Sequence, residues 1–292
     1  MTMHRDDLLV AAARAAVQAG FATLAVYQAE IQVEYKEDRS PLTLADKRSH
    51  EIIVGHLKKT GIPVLSEEGR NIPYAERSRW RQLWIVDPLD GTKEFVKRLD
   101  EFTVNIALVE DQRPTLGAIF VPVKNVLYFG RIEDGSFRLE DSAAIDSLAS
   151  ESLERDARAV MGRLRARSQK LPVDQEAHTP FVIVGSRSHA TPELHAYVDQ
   201  KRRELGAVEF VSAGSSLKYC LVAEGRADIY PRLGPTMEWD TAAGQVIAEA
   251  AGARVTRHDT GAPLVYNKED LLNPWHLVTR KPACLPKPSR FP

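Results

Sequence analysis

The chain has 292 residues, 39 Lys and Arg against 40 Asp and Glu, a formal charge of -1, 43% hydrophobic residues and two cysteines. This balance excludes a disordered or collagen-like chain and gives no general attraction to nucleic acid or to an anionic membrane, so an anion handled here must be met by local groups or metal ions. Two cysteines make no disulfide framework, and no run is expected to reach the ~20 apolar residues of a membrane span, so the expected location is the cytoplasm.

Leu9, Ala12, Ala13, Ala16, Val17 and Leu24 recur at helical spacing. With Asp6, Asp7, Arg14 and Gln18 in the same stretch, they predict an amphipathic first helix and not a signal peptide. Thr43 and Asp46 stand in the relation of a capping box and open a second helix, with Ile52, Ile53 and Leu57 behind them and Gly61 as its stop. The period then changes to two. Short apolar runs at 62–66 and 83–86 lead into Glu67 and Glu68 and into Asp87 and Asp90, which places both acidic pairs at strand ends. Segments 103–109, 115–121 and 126–130 predict an antiparallel meander with turns near 112–114 and Pro122.

From about 133 to 180 charged residues, Ser and Ala dominate, and Arg155, Arg158, Arg163, Arg165 and Arg167 crowd one segment. Interleaved acids and scarce aromatics make this an exposed, partly helical insertion and not a nucleic-acid patch. Strands at 181–184, 208–211 and 227–231 then alternate with helices opened by Thr191-Pro192-Glu193, by Ser216 and by Glu238-Trp239-Asp240. Clustered strands followed by alternation predict a mixed α/β (α+β) fold. The chain divides into an N-terminal half, 1–135, the insertion, 136–180, a C-terminal half, 181–281, and a Pro-rich, loosely attached tail, 282–292.

The acids Glu67, Asp87, Asp90 and Asp240 carry the chemistry. Two such charges ~4 Å apart repel by about 4 kcal/mol at an effective dielectric of 20, so four gathered together would require cations, and oxygen donors of this kind select Mg²⁺, Mn²⁺ or Ca²⁺ over zinc. Taken singly, each acid reads better as a turn former or a helix cap than as a ligand. What singles them out is the string Asp87-Pro88-Leu89-Asp90-Gly91-Thr92 between a buried strand and the start of a short helix. It can aim two carboxylates at metals while the N–H groups of Gly91 and Thr92 face a phosphate. Cys220 and Arg226 have the C-x-x-x-x-x-R spacing of cysteine phosphatases, yet the segment reads as an apolar-faced helix with Cys220 simply buried.

At this point the sequence resembles the lithium-sensitive, magnesium-dependent phosphomonoesterases related to inositol monophosphatase. The strings PVLSEEG, DPLDGTKEFVKR, EFTVNIALV, SRSH, GSSLKYCLVAEG and GPTMEWDTAAG carry the likeness over 5–135 and 180–280, and within that superfamily they look most like the bacterial 3'(2'),5'-bisphosphate nucleotidases. The resemblance implies a layered αβαβα sandwich with a metal site where the two halves meet. It implies Glu67, Asp87, Asp90, Asp240 and the Leu89 carbonyl as ligands of two or three Mg²⁺ ions, replaceable by Mn²⁺, with Glu68 behind them. Asp46 and Thr92 would orient or deprotonate the attacking water, although Asp46 also has its capping role and can do both only through different oxygens. Gly91, Thr92, His189, Gly214, Ser215, Ser216 and Lys218 would contact the substrate, while Arg187 and His189 read equally well as turn residues.

The implied reaction is hydrolysis of the 3'-phosphate of adenosine 3',5'-bisphosphate to AMP and phosphate, without a phosphoenzyme, and with 3'-phosphoadenylyl sulfate as a second substrate. An inositol or sugar phosphatase on the same scaffold and a catalytically silent nucleotide sensor are the alternatives. The expected partner is the small-molecule substrate, with no nucleic acid and no integral membrane segment. Peripheral association with the inner membrane and the oligomeric state stay open.

Overall fold

In the computed structural model, which describes residues 3–29, 33–35, 41–150, 156–186 and 191–280, the His4 side chain caps α1 (Arg5–Tyr27) by accepting from the Asp6 N–H, and the Asp7 carboxylate accepts from the His4 N–H. The strands β1 (Val33–Tyr35) and β2 (Pro41–Thr43) form an antiparallel ribbon, and Thr43 opens α2 (Leu44–Leu57) with the expected capping box. Next come β3 (Val64–Ser66), α3 (Tyr74–Arg77), β4 (Gln82–Asp90) and the short α4 (Thr92–Val96). The meander β5 (Thr103–Glu110), β6 (Arg113–Val121), β7 (Val126–Arg131) and β8 (Gly135–Leu139) follows. Its alternation gives the sheet two unlike faces. Trp84 and Val86 on β4, with Val104 and Ile106 on β5, join one apolar core that includes α1 and α2, whereas Leu83, Ile85, Ala107 and Val109 join another.

After α5 (Ser142–Ala149) and α6 (Ala157–Ala166), the strand β9 (Gln169–Lys170) pairs with β8. Among the described residues this completes a seven-stranded sheet in the order β3-β4-β5-β6-β7-β8-β9. The second half supplies β10 (Phe181–Gly185), α7 (Pro192–Leu205), β11 (Val208–Ser212), α8 (Leu217–Glu224), β12 (Ile229–Arg232), α9 (Glu238–Ala250), β13 (Arg254–Arg257) and β14 (His276–Thr279). Its five strands run β11-β10-β12-β14-β13. Helices α8 and α9 fill the space between the sheets, where Tyr219, Val222, Ala243 and Ile247 meet Ile85, Val109, Val184 and Val278. On the outer side Phe181, Ile183 and Ile229 pack on Leu194 and Val198 of α7. The order is therefore helix, sheet, helix, sheet, helix, the αβαβα sandwich that the resemblance implies.

Two expectations are corrected here. The stretch 136–180 does not stand apart as an exposed insertion, because β8 and β9 extend the first sheet and Ile145, Leu148, Val160, Met161 and Leu164 are buried with α1. Arg158, Arg163 and Arg167 dominate the composition but face outward, and the helical spacing of 160, 161 and 164 is what puts α6 on the core. For the same reason α1 is not a half-exposed amphipathic helix. By length and composition it could cross a membrane, at a mean hydropathy of 1.6. It is instead a core helix, with the sheet on one side and α2, α5 and α6 around it, and Ala12, Ala13, Ala16 and Val17 fully buried. The tail 282–292, with Cys284, lies outside the described residues, as do Arg187 and His189.

Candidate active site

Residues three apart on an uninterrupted strand face opposite sides of a sheet, so Asp87 and Asp90 could not meet on a regular β4. The ladder with β5 slips between them, from Asp87 opposite Asn105 to Asp90 opposite Thr103, at the point where Pro88 has no N–H to give. The Ser49 hydroxyl holds the Pro88 carbonyl at 2.6 Å, and Gly91 turns the chain into α4 with φ of 91°. The irregularity lets both carboxylates converge with Asp240, which comes from the first turn of α9. One oxygen from each of Asp87, Asp90 and Asp240 lies within 4.8 Å of the others.

Each acid is oriented by its neighbours. Asp87 Oδ1 accepts from the Leu89 N–H at 3.0 Å, and Asp240 Oδ2 accepts from the Met237 N–H at 2.9 Å. Asp90 Oδ2 accepts from Asn105 Nδ2 at 3.1 Å, from the Ser216 hydroxyl at 2.8 Å and from the Thr103 hydroxyl at 3.4 Å. Burial pushes the Asp87 carboxyl well above its usual range, and the charges of Glu67, Asp90 and Asp240 push in the same direction. Asp240 is pushed up to about 8 by burial, then by Asp90 and Glu67. An all-oxygen donor set whose members resist ionisation for lack of countercharge fits a hard divalent cation.

Asp46 divides its two oxygens as the sequence required. Oδ2 accepts from the Thr43 N–H at 2.7 Å and the Thr43 hydroxyl at 2.6 Å, which is the helix cap, while Oδ1 lies 3.3 Å from the Thr92 hydroxyl. That hydroxyl is also 3.2 Å from the Leu89 carbonyl oxygen. Burial raises the Asp46 pKa against the lowering effect of Thr43, and the Glu68 charge adds to the rise. Glu68 thus acts on Asp46 and on His50 of α2.

A pocket of about 390 Å³ opens on this cluster, lined among others by Glu67, Asp90, Gly91, Thr92, Ser215, Lys218, Arg232 and Asp240. Lys218 is buried and its Nζ donates to the carbonyls of Ser215 at 2.6 Å and Ala213 at 3.3 Å, above the Tyr230 ring. Burial lowers its pKa to about 8. Ser216 does not line the pocket: it is buried, and its hydroxyl sits between Asp90, the Asp240 carbonyl and Asn105, so it supports the acids. Gly214 also stays out of the pocket lining, and a side chain there would come within 2.8 Å of the Glu101 carbonyl oxygen. Cys220 is fully buried with its thiol pushed up by desolvation, which leaves it inert. The sequence reading assigned no role to Asn105, Thr103 or Arg232. The first two carried a signal, since polar residues at alternate positions mark one face of an otherwise apolar strand. Arg232 carried none.

The chain belongs to the Inositol monophosphatase family, whose model matches residues 4–281. Within it, the chain is 43% identical over 267 residues to the 3'(2'),5'-bisphosphate nucleotidase CysQ of Shigella flexneri, covering 89% of this chain and 95% of that protein. It is 42% identical, with the same coverage, to CysQ of Escherichia coli strain K12. The crystal structure of CysQ from Bacteroides thetaiotaomicron matches with a TM-score of 0.84 at 47% identity, covering 95% of this chain and 98% of that one. The extragenic suppressor protein suhB of Bartonella henselae, at 23% identity, 92% of each chain and a TM-score of 0.65, shares the fold.

Proposed function

We propose that this chain is a Mg²⁺-dependent 3'(2'),5'-bisphosphate nucleotidase that hydrolyses the 3'-phosphate of adenosine 3',5'-bisphosphate to AMP and phosphate. The observation that carries this reading is the convergence of Asp87, Asp90 and Asp240 beside the Asp46 and Thr92 pair, in a pocket that also holds two cations, Lys218 and Arg232. The likeness to nucleotidases over most of the chain supports the substrate.

Glu67, Asp87, Asp90, Asp240 and the Leu89 carbonyl would hold the metal. When bound, divalent cations supply positive charge to the transferring phosphoryl group and lower the pKa of solvent. Thr92 Oγ, oriented by its bond to Asp46, accepts a proton from the attacking water as its own proton passes to Asp46 Oδ1, an oxygen left free by the cap. The raised Asp46 pKa makes that carboxylate the better base. Lys218 and Arg232 bind the second phosphate, which distinguishes a bisphosphate from an inositol monophosphate. Attack by water is direct in this reading, and the one cysteine among the described residues, buried and protonated, does not serve as a nucleophile.

Phosphate release from adenosine 3',5'-bisphosphate, 3'-phosphoadenylyl sulfate, inositol 1-phosphate and fructose 1,6-bisphosphate, each with Mg²⁺ and with EDTA, tests the reading. Magnesium-dependent turnover led by the two nucleotides is expected. Turnover that survives EDTA would remove the metal from the mechanism, and a preference for inositol 1-phosphate would overturn the substrate.

A further inference from the structure

We infer that Glu238 is a positioning residue: a buried clamp that runs from it through the 267–269 loop to Arg77 fixes the rotation of the first turn of α9 and so sets Asp240 for metal binding. This inference rests on the metal-dependent reading above.

Glu238 is fully buried, and its carboxylate spans two consecutive backbone donors, the Asn267 N–H at 2.5 Å and the Lys268 N–H at 3.0 Å, while Lys268 Nζ donates to it at 2.5 Å. Asn267, held at φ of 59°, donates through Nδ2 to the Arg77 carbonyl at 2.7 Å and accepts from Arg77 Nη1 at 3.1 Å. The same guanidinium donates to the Lys268 carbonyl and, at 2.8 Å, to that of Glu269. Arg77 belongs to α3, on the segment that leaves the end of β3 through Glu67. The clamp therefore joins the chain stretch behind one proposed ligand to the helix that carries another.

Its geometry bears on Asp240 directly. At 100° per residue, side chains two apart on a helix point about 200° away from each other, so Glu238 and Asp240 leave the first turn of α9 on opposite sides. Asp240 faces Asp87 and Asp90, and Glu238 faces the loop. Releasing Glu238 frees the turn to rotate, and a carboxylate on the opposite side moves with it. The Met237 carbonyl, held by Asn273 Nδ2 at 2.7 Å, and the Glu238 N–H, bound to the Leu271 carbonyl at 3.0 Å, pin the height of the turn but not the direction of that side chain.

The test is Mn²⁺ affinity of the substrate-free full chain, from the electron paramagnetic resonance signal of free Mn²⁺. Wild type, Glu238→Gln, Arg77→Lys and Asp228→Asn are compared, with urea stability measured for each. Asp228 is buried against Arg280 and His178 and does not line the pocket, so its variant reports general destabilisation. Glu238→Gln is expected to weaken Mn²⁺ binding by roughly 10- to 100-fold, as loss of a group that orients metal ligands does, and Arg77→Lys to weaken it less. Asp228→Asn is expected to lose stability with Mn²⁺ affinity unchanged. Glu238→Gln within about twofold of wild type would overturn the proposal, as would equal weakening in all three variants. Should Glu238→Gln fail to fold, Arg77→Lys decides alone: a Mn²⁺ affinity equal to wild type refutes the clamp. Wild type that binds Mn²⁺ yet leaves the bisphosphate intact would sink the substrate reading and leave the clamp standing.

Discussion

Replacing Asp46 by asparagine exchanges one of its two oxygens for an amide nitrogen, and the structure decides which. Thr43 presents two donors to Oδ2, at 2.7 and 2.6 Å, whereas Thr92 presents one hydroxyl to Oδ1 at 3.3 Å. The side-chain oxygen of the introduced amide therefore stays with Thr43, because the reverse orientation would set N–H against N–H inside a buried cap. The cap survives with neutral bonds in place of charge-assisted ones, a loss of about 1 kcal/mol. Facing Thr92 there is now a donor, so the Thr92 hydroxyl keeps only the Leu89 carbonyl and has no base to receive its proton. Loss of a positioned general base lowers turnover by about 10²- to 10⁴-fold.

The companion variant is Thr43→Ala, which removes the capping hydroxyl and costs roughly 0.5–2 kcal/mol while leaving Oδ1 facing Thr92. Its turnover should stay within about tenfold of wild type, well short of the general-base loss. Phosphate release at saturating Mg²⁺ and substrate reads the chemistry, and urea unfolding reads the cap. The reasoning fails if Thr43→Ala slows turnover as much as Asp46→Asn, since capping and catalysis would then share one cause. It fails equally if Asp46→Asn turns over at the wild-type rate.

Lys218→Met should raise KM for adenosine 3',5'-bisphosphate by about 10- to 100-fold, the worth of one charge-assisted bond, and change KM for 3'-AMP little; equal changes would assign Lys218 to holding the 213–215 loop instead. His276 is buried, accepts from the Tyr219 hydroxyl at 2.6 Å, and has its pKa lowered by desolvation to about 4 from the ordinary 6.5. The unfolded chain therefore binds the extra proton between pH 6.5 and 4, and stability is lost as pH falls through that window by up to roughly 3 kcal/mol; urea unfolding of His276→Gln should show a correspondingly flatter pH dependence. At Gly244 an added Cβ would meet Tyr219 Cγ at 2.5 Å in the packed middle layer. Gly244→Ala should destabilise, because overpacking of about 1–3 kcal/mol outweighs the ~1 kcal/mol gain in helix propensity, and a raised urea midpoint would refute the packing argument.

The strands of the first sheet were legible because both faces of the sheet are covered by apolar cores, so each strand reads as a short, nearly continuous apolar run bounded by turn or acidic residues, from Leu83 to Phe129. What covers each face was not legible. The apolar residues of α6, Val160, Met161 and Leu164, sit among arginines that average the segment to a polar composition, and only their spacing betrays the buried side. α1 misled in the opposite direction: the charges at its start and the polar Arg14 and Gln18 suggested a wet face, but that face is closed by helices from distant sequence. Burial of this kind is a property of the assembled layers and not of any window along the chain.

The acids of the site were legible because strand ends and a proline turn constrain them locally, and the capping box announced the competing duty of Asp46 in advance. Ser216, expected to contact the substrate, also bonds Asp90 and Asn105, a duty that its sequence window does not show. A hydroxyl after Gly214 and Ser215 at a helix start has the local form of an anion loop, and nothing in that window says that α8 docks close enough to β5 for the hydroxyl to reach Asn105 and Asp90. Thr103 and Asn105 occupy the face of β5 that continues as Ala107 and Val109, so two polar residues end an apolar stripe beside the carboxylates. A buried polar group needs a partner. The partner here is a carboxylate that would otherwise face its like-charged neighbours with nothing to orient it. The acidic cluster and the polar end of β5 are thus two halves of one requirement, and only the first half is written in adjacent residues.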